Sequence, residues 1–281
     1  MIFDCFTFFN EFDILDVRLH EMASVVDRFV IVEATRTFQG APKPLHFEAN
    51  KARYSAFADK IIHVVVDMPE SPETKFPSTS VAWRREYYQR EQIARGIVSA
   101  GKDDLIIVGD VDEIISAGKL REALARRRKH DLTIFTMPVF NAYYNRRVKE
   151  QVWLLGPRMV EAGDFKSAQV VRNTRLLASK RLKGSPIGAL HTRVWNFFNC
   201  GMGNRILEIK DAGWHFSSMG NWDKFREKIN AFSHEEVKDT AEFNSEAAFL
   251  ERIRKGTDRV DIASLPAFIG ENTDRFYLDL G

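Results

Sequence analysis

The sequence predicts an α/β protein with a mostly parallel central sheet and helices on both of its faces. Apolar runs typical of strands alternate with amphipathic stretches typical of helices through residues 1–137, which is the order that builds parallel sheets. Residues 105–108 are four consecutive aliphatic residues, three of them β-branched, as in a strand buried on both faces. After Pro138 aromatic residues crowd into short runs, which predicts an antiparallel, aromatic C-terminal part.

Each predicted element of the N-terminal half has its own signal. The strands are rich in β-branched and aromatic residues and cover residues 2–9, 29–32, 61–66, 105–108 and 132–137. The helices cover residues 13–22, 50–57, 81–100 and 116–130. Asp13 is the predicted N-cap of the first helix, and Gly101 marks the end of the third.

The second half is less regular. Aromatic strands are predicted at residues 140–145 and 152–155, and helices from Trp222 to about Phe232 and over residues 246–254. Residues 165–177 and 189–209 show little periodicity. We expect a single domain made of an N-terminal half, residues 1–137, a second half, residues 138–235, and a C-terminal helical tail, residues 236–281.

Composition excludes several classes of protein. The chain has 281 residues with 41 basic and 39 acidic groups, a net charge of +2 that argues against a nucleic-acid binder. Its two cysteines are far apart in the sequence and predict neither a disulfide framework nor a zinc site. The sequence shows no signal peptide and no apolar run of about 18 residues, so we expect no transmembrane segment. We therefore expect a cytoplasmic protein, compatible with peripheral contact at a membrane surface.

An acidic turn follows the strand at residues 105–108. Asp110, Asp112 and Glu113 come directly after Gly109, and nothing near them in the sequence neutralises their charges. Three carboxylates this close repel one another, and Mg²⁺ or Mn²⁺ would relieve that repulsion. The carboxyl end of a central strand is also where open α/β sheets bind ligands. The alternative is a solvated acidic turn without a ligand.

Polar residues also follow the other predicted strands. In a parallel sheet these strand ends converge, and they would provide acids for a ribose or base and an arginine for phosphate. The chain has no glycine-rich phosphate-binding motif, so a metal bridging two phosphates is the expected alternative. Arg84 and Arg85 open the third helix and could face a diphosphate or simply lie on the surface. The remaining candidates for nucleotide binding are Asn10, Glu11, Glu33, Arg36, Asp67 and Asp110.

Five sequence blocks together resemble glycosyltransferase family 17, the β-1,4-mannosyl-glycoprotein N-acetylglucosaminyltransferases. The blocks are FDCFTFFNE at residues 3–11, VEATRTF at 32–38, KIIHVV at 60–65, GDVDEI at 109–114 and GWHFS at 213–217. The resemblance extends to about residue 235. It implies the GT-A fold, with residues 1–137 binding the nucleotide-sugar and residues 138–235 on the acceptor side. It also implies an inverting transfer from a UDP-sugar, with N-acetylglucosamine as the expected sugar.

The resemblance and the chemistry assign roles to three candidate metal residues. Asp112 is expected to ligate Mn²⁺ or Mg²⁺ directly, and Asp110 to face the ribose or the metal through water. His215 is expected to complete the metal site, since imidazole is a common ligand, although an isolated histidine is often structural.

An inverting transfer also needs a base near the acceptor hydroxyl. Glu161, Asp164 and Asp211 are candidates, and the sequence does not choose among them. Six residues could contact sugar rings, although most aromatic residues in such patterns are core: Asn141, Tyr143, Tyr144, Trp153, Trp195 and Trp214. The competing functions are a phosphohydrolase with an acidic motif and a glycan-binding module with an inactive transferase site.

Overall fold

The computed structural model describes residues 1–76, 80–177, 184–231 and 240–279. Two sheets are built from the strands β1 Ile2–Phe8, β2 Arg28–Ala34, β3 Ile61–Val66, β4 Leu105–Val108, β5 Glu113–Ile115, β6 Leu132–Phe135, β7 Met137–Ala142, β8 Arg146–Trp153, β9 Arg158–Glu161, β10 Ile206–Ile209, β11 Gly213–Met219 and β12 Thr257–Arg259. The helices are α1 Phe12–Met22, α2 His46–Asn50, α3 Val81–Glu91, α4 Ile93–Gly96, α5 Ala117–Arg126, α6 Ala168–Asn173, α7 Pro186–Cys200, α8 Trp222–Ala231, α9 Ala241–Asn244, α10 Glu246–Gly256 and α11 Ala267–Glu271.

The seven-stranded sheet has the order β10-β6-β9-β4-β1-β2-β3, and β1, β2, β3 and β4 are parallel. β9 runs antiparallel to both of its neighbours. Strand β1 is buried on both faces: Phe6 packs with Leu15 of α1 on one face, and Cys5 packs with Ile93 of α4 on the other. The predicted α/β class, with a mostly parallel sheet covered on both faces, is confirmed.

The five-stranded sheet has the order β12-β8-β7-β11-β5. All its pairings are antiparallel except that of β11 with β7. β5 follows the acidic turn directly and pairs with β11, which places His215 opposite Glu113. The two sheets therefore meet at the acidic turn, where β4 of the large sheet ends and β5 of the small sheet begins.

Several predicted boundaries were wrong. Helix α1 begins at Phe12, so Asp13 lies in its first turn and is not its N-cap. The third predicted helix is two helices, because α3 ends at Glu91 and α4 begins at Ile93. The aperiodic stretch at residues 189–209 contains most of α7, a helix of 15 residues. Phe232 and the boundary between residues 235 and 236 lie outside the described residues.

Candidate functional site

The acidic turn is anchored from below by Arg18 of α1. This guanidinium is fully buried and binds Asp4 of β1 with two hydrogen bonds, 2.7 Å from Nε and 2.6 Å from Nη2. Its Nη1 donates to the main-chain oxygens of Asp110, Val111 and Glu113 at 2.9, 3.2 and 2.9 Å. The conformation of the turn is therefore fixed through its backbone, by residues of the first strand and the first helix.

Two arginines hold the side chains of Asp110 and Glu113. Arg90 of α3 donates to Asp110 Oδ1 at 3.1 Å, and Arg172 of α6 donates to Asp110 Oδ2 at 2.9 Å. Arg172 also contacts both oxygens of Glu113, which is fully buried and accepts a bond of 2.6 Å from Trp153 Nε1. Burial by itself would raise the pKa of Asp110, but Arg172 and Arg90 hold this pKa well below its usual range. The acidic turn has no neutralising neighbour in the sequence, as expected, and its counter-charges come from the distant residues Arg90 and Arg172.

Asp112 occupies a different environment from Asp110. One of its oxygens, Oδ2, accepts a bond of 2.8 Å from Lys228 of α8, and the other, Oδ1, lies 3.8 Å from His215 Nε2. Burial opposes the charge of Asp112, but Lys228 and His215 outweigh it and lower the pKa of this carboxyl. The His215 ring lies 4.5 Å from the Trp153 ring, and its buried Nδ1 has no hydrogen-bond partner among the described residues.

A cavity of about 520 Å³ opens over the turn. Its central wall contains Asp110, Asp112, His215, Arg90 and Lys228. The residues that follow β1 and β2 contribute Phe9, Glu11, Arg36, Thr37, Phe38 and Lys43 to the lining. The small sheet, α8 and the C-terminal part contribute Asn141, Ser217, Ser218, Phe225, Ile229, Thr240 and Arg252. The volume is in the range of small-molecule sites.

Glu11 is a half-buried acid in the lining of this cavity. Its Oε2 accepts from the main-chain N–H groups of Phe9 and Asn10, both at 3.1 Å. Burial raises the pKa of Glu11, with a further increase from the charge of Asp112 and an opposing effect of Lys228. Glu11 is thus electrostatically connected to the pair formed by Asp112 and Lys228.

Some of the residues proposed for nucleotide binding do not line the cavity. Glu33 is fully buried, and its carboxylate accepts from the first amides of α2, Phe47 N at 2.9 Å and Glu48 N at 3.3 Å. Asp67 follows β3, which β1 and β2 separate from β4, and its carboxylate accepts a bond of 3.2 Å from Thr35. The expected convergence of strand ends fails for these two residues, because β3 is an edge strand and the Glu33 side chain serves α2.

Three further candidates have structural partners at the rim. Asn10 donates to Glu227 at 2.9 Å, Arg84 donates to Ser71 at 3.1 Å, and Arg85 donates to the main-chain oxygen of Phe38 at 3.0 Å. The cavity lining does not include these three residues. The structure thus brings Glu11, Arg36, Asp110, Asp112 and His215 to one cavity, and leaves Asn10, Glu33, Asp67, Arg84 and Arg85 outside it.

The three predicted base candidates also lie elsewhere. Glu161 ends β9, which is antiparallel to β4, so it pairs with Leu105 at the opposite end of that strand from the turn. Asp164 follows it and contacts His130 at 2.9 Å. Asp211 is exposed, with a positive φ of 47°, before β11. None of these three acids is among the residues that line the cavity, so the role of one of them as the base stays a prediction without support from the geometry.

Four cations that contact the acidic turn were missed from the sequence: Arg18, Arg90, Arg172 and Lys228. Arg18 had a usable signal, because it lies four residues after Ile14 and three after Leu15, on the apolar face of its helix. Arg90 follows Glu86 by one helical turn, and their side chains form an ion pair of 2.7 Å. Arg172 and Lys228 had no comparable signal, since they reach the turn from 62 and 116 residues away.

The geometry fits a cation at Asp112 and His215. Asp112 Oδ1 and His215 Nε2 are close enough to share one ion, and an imidazole with a carboxylate is a usual donor set for Mn²⁺. Each oxygen of Asp110 accepts from an arginine, and its expected role toward the ribose or, through water, the metal stays a prediction. Among the described residues, three closely spaced potential ligands occur together at His130, Glu161 and Asp164, away from this cavity.

Comparisons with known proteins match the N-terminal half of the chain. The profile of glycosyltransferase family 17 matches residues 1–125. The human β-1,4-mannosyl-glycoprotein 4-β-N-acetylglucosaminyltransferase is 34% identical over 113 residues, which cover 37% of this chain and 20% of the human protein. The chain thus spans about a fifth of the length of this relative.

The chain also has weak structural similarity to two solved structures. A protein of Desulfovibrio desulfuricans G20 described as a nucleotide-diphospho-sugar transferase has a TM-score of 0.40 and 9% identity, over 90% of this chain and 96% of its own. The inositol-1-phosphate CTP transferase of T. maritima has a TM-score of 0.39 and 13% identity, over 77% of this chain and 89% of its own.

Proposed function

We propose that this chain, whose residues 1–125 match glycosyltransferase family 17, transfers a sugar from a nucleotide-sugar donor to a glycan hydroxyl. The donor is a UDP-sugar, and N-acetylglucosamine is the sugar that the human relative's name supports. The transfer proceeds with inversion at the sugar carbon. The observation that carries the proposal is the Asp112 and His215 pair, which faces a cavity of about 520 Å³ beside Arg90 and Lys228.

Asp112 and His215 would hold a divalent cation, Mn²⁺ or Mg²⁺, at the centre of this cavity. When bound, that ion would neutralise negative charge on the diphosphate of the leaving nucleotide. The chain's own groups act in the same direction. Lys228 places an ammonium 2.8 Å from Asp112, and Arg90 lines the cavity next to it, so the diphosphate enters a region with several fixed donors.

Arg172 and Trp153 keep this arrangement in position. Arg172 links Asp110 to Glu113, and Trp153 donates to Glu113 while its ring lies 4.5 Å from that of His215. Because these side chains are fixed by packing and hydrogen bonds, the site is largely organised before a donor arrives. Such organisation is what charge stabilisation in a transition state requires.

The nucleoside would bind against the lining residues that follow β1 and β2. Phe9 and Phe38 offer aromatic surface there, and Glu11 offers a carboxylate that can accept from ribose hydroxyls or from a base N–H. Arg36 and Lys43 add positive charge on the same side.

Replacing Glu11 by glutamine should weaken UDP binding about tenfold, because one charge-assisted hydrogen bond is lost while the shape of the side chain is kept. Isothermal titration calorimetry with UDP and Mn²⁺ measures this change. Asp67→Asn is the matched control, since Asp67 follows β3, another parallel strand of the same sheet, but lies outside the cavity. Equal affinities for wild type and Glu11→Gln would contradict this placement of the nucleoside.

A donor screen tests the proposed function itself. UDP-N-acetylglucosamine with Mn²⁺ should raise the melting temperature more than GDP- or CMP-sugars do, since a ligand at a hundred times its Kd stabilises the native state by roughly 2.7 kcal/mol. Release of UDP over a panel of glycan acceptors should follow. Binding without turnover on any acceptor would favour a glycan-binding module. Hydrolysis of a generic phosphate ester in place of transfer would favour a phosphohydrolase.

A further inference from the structure

Helix α7 presents its apolar face to solvent. The face packed against the protein consists of Gly188, Thr192, Asn196 and Cys200, spaced four residues apart, and all four are buried. The opposite face is exposed to solvent by 70% at Ile187, 61% at Leu190, 45% at Val194, 57% at Phe197 and 78% at Phe198. This is the reverse of the usual surface helix, whose apolar stripe faces the core.

The helix is nevertheless well anchored. Ser185 caps its N-terminus by accepting from Gly188 N at 3.0 Å, and Gly201 ends it in the left-handed conformation with φ of 66°. Asn196 exchanges two hydrogen bonds of 2.9 Å with the main chain of Arg175. The outward orientation of the apolar side chains is therefore fixed by polar contacts on the inner face.

The surrounding sequence is strongly basic. Residues 165–207 contain eight lysines and arginines and no acidic residue, which leaves 33 basic and 39 acidic groups in the rest of the chain. Two of the eight, Arg172 and Arg205, are paired with acids from outside the segment. Lys166, Arg175 and Arg193 of this segment are exposed next to or on the helix pair α6 and α7, and the Arg175 guanidinium lies 4.1 Å from the Trp195 ring. Lys180, Arg181 and Lys183 belong to the same segment of sequence and lie outside the described residues.

We propose that the outer face of α7 docks the protein on an anionic lipid surface. An amphipathic helix with exposed leucine, isoleucine and phenylalanine and with basic residues at its flanks inserts its apolar face at the boundary between headgroups and acyl chains, and nearby lysines and arginines strengthen the attraction to anionic lipid. A second copy of the chain fits less well, because the same basic segment would face itself across a two-fold interface and repel.

The contact is peripheral. Within the described residues every helix falls short of the length and apolarity that crossing a bilayer requires. Helix α6 packs between α7 and the cavity and supplies Arg172 to Asp110, so the docking face lies one helix away from the acidic turn.

Flotation with lipid vesicles tests this proposal. The protein should float with vesicles of phosphatidylcholine and phosphatidylglycerol much more than with phosphatidylcholine alone, and high salt should release it. The double variant Leu190→Ser/Phe198→Ser should lower partitioning by about tenfold or more, because it removes two exposed apolar side chains from the docking face. The matched control is Val98→Ser/Leu250→Ser, which replaces two exposed apolar residues elsewhere and should partition as wild type does.

The proposal would be overturned if the wild type did not float with anionic vesicles. It would also be overturned if the Leu190→Ser/Phe198→Ser variant partitioned as wild type does, or if the control variant lost as much vesicle binding as this variant. Size-exclusion chromatography with light scattering tests the main alternative, in which a second copy of the chain covers this face. A dimer that dissociates in the Leu190→Ser/Phe198→Ser variant, without vesicle binding by the wild type, would assign the face to a second copy. Circular dichroism and melting curves establish that both variants are folded.

Discussion

Replacing Asp112 by alanine should lower sugar transfer by on the order of 10³-fold or more, because it removes the carboxylate proposed to hold the divalent cation against the diphosphate. The fold should survive. The side chain of Asp112 contacts Lys228 and His215, whereas its main-chain oxygen, which accepts from Phe216 N at 2.8 Å, is unchanged by the substitution. Turnover measured as UDP release, together with a melting curve, checks both parts of this prediction.

Asp164→Ala is the matched control for Asp112→Ala. Asp164 lies near the opposite end of the large sheet, beyond Glu161, and contacts His130, so its removal should leave turnover within a factor of about two of wild type. Normal turnover in Asp112→Ala would remove the metal site from the proposed function. A large loss in Asp164→Ala would instead restore that acid as a candidate base.

Replacing Arg18 by methionine should cost about 3–5 kcal/mol in the free energy of unfolding, because it leaves the fully buried carboxylate of Asp4 without its counter-charge. The substitution also removes the hydrogen-bond donor to three main-chain oxygens in the acidic turn. Urea-induced unfolding followed by tryptophan fluorescence and by circular dichroism measures the change.

The control for this prediction is Arg53→Met, which removes a guanidinium that also pairs with an aspartate, Asp16, but is 40% exposed. Asp16 also pairs with Arg275 and so keeps a counter-charge, and an arginine exposed to this degree contributes little, so the loss should stay near or below about 1 kcal/mol. In the double variant Asp4→Leu/Arg18→Met no buried charge is left unpaired, and part of the lost stability should return. A single Arg18→Met variant as stable as wild type would show that the buried pair does not hold this region together.

The large sheet could be predicted because its strands are short apolar runs and its helices carry local signals. The prediction of residues 61–66 as a strand matches β3, and the prediction of residues 105–108 matches β4. Helix α7 could not be found in this way, because its buried face is made of small and polar residues and its apolar face points outward. Strand β9 was not predicted at all, since only two of its four residues, RMVE, are apolar.

The candidate site was predictable where it is local and unpredictable where it depends on distant partners. Asp112 stood out because it follows a buried strand. His215 stood out because it belongs to the block GWHFS at residues 213–217, which resembles the family. The charges that neutralise Asp110 come from α3 and α6, and the ammonium beside Asp112 comes from α8. Side chains from three separate helices meet at one turn only after the tertiary fold has formed, and no sequence spacing encodes that meeting.

Arg18 holds peptide oxygens of the acidic turn and none of its side chains. The course of the main chain at Asp112 is therefore largely independent of the Asp112 side chain, whereas Glu113 also supports the turn by accepting from Asp110 N at 3.0 Å. On the proposed function, another ligand could stand in place of Asp112 and alter the preferred ion or donor while the backbone that presents it stays the same. Ion preference and folding would then be separable properties of this molecule.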